Sequence, residues 1–320
     1  MGKIQGDFSG VSGRFGDNFV GRQTAHGTIL AKRPRKLSTP RRSEKQVVVR
    51  GQMANVAANF RLYAGKLLQG FEGKPIGCSD YNAMVQVNYG VSPVYLAKQE
   101  VLNGGCVVAP YQYCRGTLRS IGMEVKSNGV LVSDIKLGVL QIGAQTTVAQ
   151  LAAAVMTNNT DWENRDQLTF FYARQYVDGV SQVPRAAMDT WKVVLDSADD
   201  TLLLTMVSAL GFASVSDGAG GYVLGMSQVL TNGGASWTHS REDANGNVKL
   251  GSQRLVVVND ILSRYTGTTA VTRYADSYGG VTIPTAYLNP AASAAPAPST
   301  GTGGTPSGGN GGTSGGSEED

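Results

Sequence analysis

Between residues 43 and 70 the apolar positions follow a helical period. Val49, Met53, Val56, Phe60, Tyr63 and Leu67 recur in alternating steps of four and three, the spacing of one helix face. Ser43 and Gln46 form an S-x-x-Q capping box at its start, and Gly70 supplies a stop. The pattern predicts an amphipathic helix over 43–70. A short helical turn follows near Ser79–Asn88, and a strand is expected at Val94–Leu96.

From Cys106 onward the pattern changes to short apolar runs between turn signals. Val107–Cys114, Leu118–Val125 and Ile135–Ile142 read as strands, with Asn128-Gly129 between the last two. Thr147 and Gln150 cap a second helix whose apolar face is Val148, Leu151, Ala152 and Val155. Further strands are expected at Leu168–Tyr176, Trp191–Leu195, Leu202–Val215, Tyr222–Met226, Ser236–His239 and Leu255–Val258. Asp178-Gly179, Asp217-Gly218, Gly233-Gly234 and Asn245-Gly246 read as their turns. Strands at this spacing with few helices predict a mainly β fold, an antiparallel sandwich-like body with a minor α+β component. The body divides into a first β-rich part, 71–145, and a second, 146–288.

The two ends differ from this body. Residues 1–42 hold Gly2, Gly6, Gly10, Gly13, Gly16, Gly21 and Gly27, with Phe8, Phe15 and Phe19 among them. Glycine at this density discourages helix, and Pro34 and Pro40 keep the chain extended. An extended arm is therefore expected. Residues 289–320 turn to Ala/Pro and then Gly/Ser/Thr, ending in Glu318-Glu319-Asp320. Such a tail buries too little apolar surface to offset its ordering entropy and reads as disordered.

Charge sharpens the contrast. Residues 1–66 carry thirteen Lys/Arg against three acidic residues, while the whole chain has a net charge of only +4. The basic side chains cluster in Lys32-Arg33-Pro34-Arg35-Lys36 and Arg41-Arg42-Ser43-Glu44-Lys45. Such a segment attracts a polyanion, most simply nucleic acid, DNA or RNA. The candidate contacts are Arg22, Lys32, Arg33, Arg35, Lys36, Arg41, Arg42, Lys45 and Arg50, with Arg61 and Lys66 extending the basic helix face. Phe8, Phe15 and Phe19 are candidates for stacking on exposed bases. The alternative occupant of the arm is the acidic face of a neighbouring subunit, in a homo-oligomer, a virion or another particle. A solvated arm with no partner is the third reading, ranked behind these two.

Candidate chemistry elsewhere is sparse. There are two histidines, His26 and His239, and three cysteines, Cys78, Cys106 and Cys114. None has zinc-site spacing, and an odd cysteine count makes no disulfide framework, so reduced thiols are expected. Asp243-Ala244-Asn245-Gly246-Asn247 resembles the start of a calcium loop, but its glycine falls early and Arg254 stands where the bidentate Glu is needed. Ser240 adjoins His239, yet neighbours on a strand face opposite sides and cannot act as a dyad. Asp196, Asp199 and Asp200 read as turn residues. Gly218-Ala219-Gly220-Gly221 lacks the context of a phosphate loop. No catalytic residue, metal or cofactor is expected. No apolar run is long enough to span a membrane and no leader is visible, so a cytoplasmic protein, or a virion component, is expected.

The amino-terminal pattern resembles one known family. Gly10, Gly13, Val20-Gly21-Arg22, Gly27, Arg33-Pro34-Arg35-Lys36, Pro40, Lys45-Gln46, Arg50 and Phe60 are similar to the start of the DUF6266-type proteins of Bacteroidota. Those proteins also run from a glycine-rich start through a basic, proline-containing segment into a helix. Here Arg50 is followed by Gly51-Gln52-Met53, so methionine stands where the family has an aromatic. Tyr113-Cys114-Arg115-Gly116-Thr117-Leu118 and Tyr274-Ala275-Asp276-Ser277-Tyr278 are looser echoes. The resemblance covers about the first sixty residues well. It implies a bacterial or phage setting and carries no activity, so no catalytic residue transfers from it.

Overall fold

The computed structural model describes residues 2–4, 13–15, 19–24, 27–32, 44–67, 70–75 and 77–279. The described part of the arm is extended and paired. Strands β1 (Gly2–Ile4), β2 (Gly13–Phe15), β3 (Phe19–Thr24) and β4 (Gly27–Lys32) form an antiparallel sheet in the order β1-β4-β3-β2. The glycine recurrence has a register: Gly2, Gly21 and Gly13 fall in one row across the sheet with Leu30.

The first long helix, α1, spans Glu44–Tyr63. Ser43, its expected cap, lies outside the described residues. The helix ends seven residues before Gly70, in a turn where Gly65 takes a φ of +73°. Gly70 is not the stop; its buried N–H donates to Asp80 Oδ2 at 2.9 Å. The buried face is also rotated from the expected stripe. Val47, Gln52, Asn55, Val56, Asn59 and Tyr63 are buried, whereas Val49 and Met53 are only half-buried.

Helices α2 (Asp80–Asn88) and α3 (Lys98–Leu102) follow. Ser79 caps α2 as its sequence suggests, accepting from Asn82 N at 3.2 Å. No strand forms at Val94–Leu96; these residues are buried without a strand partner. The expected strand Val107–Cys114 shrinks to β5 (Gln112–Cys114), and Leu118–Val125 to β6 (Met123–Val125). Then come β7 (Val130–Gly138), α4 (Val148–Asn158), β8 (Gln167–Val177) and β9 (Pro184–Val194). The α4 cap is reciprocal as expected: Thr147 Oγ1 accepts from Gln150 N at 3.2 Å, and Thr147 N donates to Gln150 Oε1 at 3.1 Å.

The expected strand Leu202–Val215 is instead a short helix, α5 (Leu203–Met206), and a strand, β10 (Ala213–Ser216). The chain continues through β11 (Tyr222–Val229), β12 (Gly233–Glu242), β13 (Val248–Leu250), β14 (Gln253–Arg254) and β15 (Val256–Val258) to a final helix, α6 (Gly267–Ser277). Helices α3 and α6 have no counterpart in the sequence pattern. Gly233-Gly234 is not a turn but the start of β12. A Cβ on Gly233 would lie 2.0 Å from Ala173 O, and one on Gly234 2.5 Å from Leu255 Cδ2. Both glycines serve close strand approach rather than chain reversal.

The body is layered. A central sheet, β13-β12-β8-β9 with β15 also on β12, faces a second sheet, β10-β11-β7-β6. Leu168 and Phe170 of β8 and Trp237 of β12 pack with Leu131 and Ile135 of β7, Leu224 of β11 and the apolar face of α4. The opposite face of the central sheet is buried as well. There Phe171 packs with Val56 and Tyr63 of α1, Met84 of α2 and Tyr113 of β5. Two polar positions on that face are satisfied by one tyrosine: Tyr113 Oη lies 2.7 Å from Ser236 Oγ and 2.6 Å from Thr238 Oγ1. Pairs β5–β14 and β7–β11 join strands on both sides of residue 145. Among the described residues no helix is long and apolar enough to cross a membrane.

Candidate nucleic-acid interface

The sheet register sorts the basic residues of the arm. Residues opposite one another across an antiparallel ladder share a face, and faces alternate along each strand. Lys3 and Arg22 both stand opposite Ile29, and Arg14 stands opposite Val20, which stands opposite Ala31. Lys3, Arg14 and Arg22 therefore occupy one face. Lys32 stands opposite Phe19, which pairs with Phe15, so these three belong to the other face. Lys32 and Phe19 are exposed, Phe19 to 44%.

The register thus puts the positions of Arg22 and Lys32 on opposite faces, and those of Phe15 and Phe19 on the face of Lys32. Lys3 and Arg14, absent from the expected contact set, join Arg22. Their signal in the sequence is their spacing from the hairpin turns, which becomes readable only once the register is known. Phe8, Arg33, Arg35, Lys36, Arg41 and Arg42 lie outside the described residues. Lys45 falls in the first turn of α1.

On α1 itself Arg50 and Arg61 are exposed. Eleven residues apart, they lie on one helix face about 16 Å from each other along the axis. Among the described residues neither has an ion-pair partner. Lys66 does not extend this face. It is half-buried, and its Nζ donates to Met188 O at 3.0 Å. Guanidinium groups held on a rigid scaffold without carboxylate partners suit phosphate oxygens.

Asp166, His239 and Arg241 are committed to one another. Asp166 accepts from His239 Nε2 at 2.8 Å, Arg241 Nε at 2.6 Å and Glu163 N at 2.8 Å. Burial raises the Asp166 pKa, but the bonds from Arg241, His239 and the backbone outweigh it and hold the carboxyl at about 2. His239 stacks on Trp162 with ring centroids 3.9 Å apart, and neither His239 nor Asp166 meets solvent. His239 and Arg241 share one face of β12, and Ser240 lies on the other, as alternation requires.

Asp243 Oδ1 accepts from Asn245 N and Asn247 N, each at 2.9 Å, so the calcium-like loop is a self-capped hairpin turn. Asp196, Asp199 and Asp217 cap turns in the same way. Among the described residues no cluster of His, Cys, Asp or Glu has the geometry to hold a metal ion. The three cysteines are free thiols, and burial pushes Cys106 and Cys114 up to about 12. An open cleft of about 370 Å³ lies over the Gln167–Ser240 end of the central sheet, with Arg165 on its rim at a φ of +73°. Arg165, Arg241, Glu242 and Asp243 leave it with no dominant charge.

Comparison with family models, with curated proteins and with solved structures finds no match.

Proposed function

We propose that this chain is a non-enzymatic binding and assembly protein whose basic amino-terminal segment contacts nucleic acid without strong sequence preference. The observation that carries this reading is the register of the first sheet, which sets Lys3, Arg14 and Arg22 on one face. The basic run Lys32–Lys36, the cluster Arg41–Lys45 and the exposed, unpaired Arg50 and Arg61 follow in sequence. Each phosphate met by such a cation releases condensed counterions, giving affinity that tolerates sequence and falls with salt. Exposed Phe19 beside Lys32 suits stacking on unpaired bases.

The test is a salt titration of the full chain on random-sequence duplex and single-stranded DNA. The expected result is a steep fall in affinity with salt, made shallower by replacing Lys32, Arg33, Arg35 and Lys36 with Gln. Equal affinity and an equal slope for that variant would sink the proposal.

A second reading draws on the other face of the same sheet, where the positions of Ile4, Phe15, Phe19 and Leu30 coincide. An apolar face of this kind suits docking on a neighbouring subunit of a phage virion or other particle. Oligomers that form without nucleic acid, and dissolve on Phe15→Ser with Phe19→Ser, would favour it over the first.

A further inference from the structure

The central sheet is longer than the layer that covers it, and its cross-strand rows show where the cover stops. Trp191, Phe170 and Trp237 stand opposite one another on β9, β8 and β12. The loop before β10 roofs this row: Trp237 Nε1 donates to Gly211 O at 2.8 Å, and a Cβ on Gly211 would lie 2.0 Å from Phe170 Cδ1. The next row on the same face is Asp189, Tyr172, Ala235 and Val256, and the one after it is Ala187, Arg174, Gly233 and Val258. Beyond them Tyr176 stands opposite Arg185.

Exposure rises along β8 in step with these rows. Phe170 is fully buried, Tyr172 half-buried, and Arg174 and Tyr176 exposed, Tyr176 to 51%. The residues between them, Phe171, Ala173 and Gln175, are buried on the opposite face. One face of the strand therefore emerges from the body while the other stays covered.

The emerging face carries rings and a guanidinium. Tyr172, Tyr176 and half-buried Trp191 are its aromatic side chains, and β12 contributes only Ala235 and Gly233 to its rows. Arg174, between the two tyrosines, reaches across to β9. Its Nε donates to Asp189 Oδ2 at 2.8 Å and its Nη2 to Asp189 Oδ1 at 3.4 Å. A guanidinium held along one edge by a carboxylate keeps its planar face for stacking. Successive side chains on this face are spaced by about 7 Å, twice the roughly 3.4 Å taken by one base in a stack.

The charge suits a polyanion. At Val256 the face continues into an open cleft of about 320 Å³, lined also by Met123 and exposed Arg254. Among the described residues that line it, Arg254 is the one charge. Face and cleft together carry Arg174, Arg185 and Arg254 against one carboxylate, Asp189, which is already paired with Arg174. Rings interleaved with guanidinium groups on a sheet suit unpaired bases on a phosphate backbone. A duplex hides its base faces and has nothing to stack there.

We propose that the face formed by Tyr172, Arg174 and Tyr176 binds single-stranded nucleic acid, whose bases stack on these side chains and whose phosphates meet Arg185 and Arg254. The inference rests on the reading of this chain as a nucleic-acid-binding protein and gives it a second surface, on the body rather than the arm. The test uses the full chain, an oligo(dT) of about 12 nucleotides and a duplex of the same length. Trp162 and Trp237 are buried and Trp191 is half-buried, so quenching of tryptophan emission reports on this face. Oligo(dT) should quench the unaltered chain, and Trp191→Phe should lose the quenching while anisotropy still records binding. Tyr176→Ala should weaken oligo(dT) binding at least about fivefold and leave duplex binding unchanged. Tyr176→Phe, which keeps the ring, should bind as the unaltered chain does. Binding without quenching, or equal oligo(dT) affinity in Tyr176→Ala, overturns this inference and leaves the nucleic-acid reading standing. An unaltered chain that binds neither strand form overturns both. Oligomers that Tyr176→Ala dissolves, with oligo(dT) affinity unchanged, overturn it in favour of a second copy docked on this face.

Discussion

Asn55 holds both main-chain groups of Val107. Its Nδ2 donates to Val107 O at 2.8 Å, and its Oδ1 accepts from Val107 N at 2.9 Å. A helix side chain thereby stands in for a neighbouring strand. The same device recurs along the buried segment that follows Gly105. Asn59 Nδ2 also donates to Val107 O, Gln175 Oε1 accepts from Val108 N, and Asn88 bonds both main-chain groups of Gln112. Buried backbone must find partners. Here amide side chains from α1, α2 and β8 supply them, which is why the expected strand from Val107 to Tyr111 does not form.

Replacing Asn55 with Leu leaves Val107 N–H buried without an acceptor. The expected cost is about 2 to 3 kcal/mol, read as a lower urea midpoint with an unchanged slope. Asn59→Leu should cost less, because Asn55 still satisfies Val107.

Asp166 makes stability depend on acid pH. Its folded pKa of about 2 lies below the ordinary aspartate value of 3.8, so its contribution is full above about pH 4. That contribution is lost as pH falls toward 2. Asp166→Asn should flatten this part of the profile and destabilise the protein at pH 7 by about 3 kcal/mol, since Arg241 loses its buried partner. Urea midpoints between pH 2 and 7 check both.

Gly233 tolerates no side chain. A Cβ there would sit 2.0 Å from Ala173 O, a main-chain atom held by the sheet. Gly233→Ala should cost about 3 kcal/mol or more. Gly246→Ala, in an open turn at a φ of +78°, should cost about 1 kcal/mol. Thermal melts of the two variants give the contrast.

The two faces of the first sheet should separate in binding experiments. Replacing Lys3, Arg14 and Arg22 with Gln should lower the slope of log affinity against log salt on duplex DNA by about 2 to 3. Phe15→Ala with Phe19→Ala should leave that slope alone and weaken single-strand binding by about 1 to 3 kcal/mol per stacked base. Fluorescence anisotropy over a salt series measures both.

Thiol titration should distinguish the cysteines. Cys106 and Cys114 are buried, with pKa values of about 12, so they supply almost no thiolate at pH 8. A thiol reagent should label half-buried Cys78 in the native protein, and all three in denaturant.

What the sequence determined by itself is local. The capping pair Thr147 and Gln150, Ser79 at the start of α2, and the Asn-Gly and Asp-Gly reversals at 128–129, 178–179, 217–218 and 245–246 all rest on contacts within a few residues. So do the mainly β character and the concentration of positive charge before residue 67. Tertiary structure decided whatever depended on distant neighbours. Asn55 on α1 gains its role only because the fold brings Val107 to it. Ser236 and Thr238 on β12 are paired only because Tyr113 reaches them, and paired glycines read as a turn until Ala173 and Leu255 close on them. The basic residues follow the same division. Their number is a property of the chain, but the face shared by Lys3, Arg14 and Arg22 exists only because long-range strand pairing fixes the register.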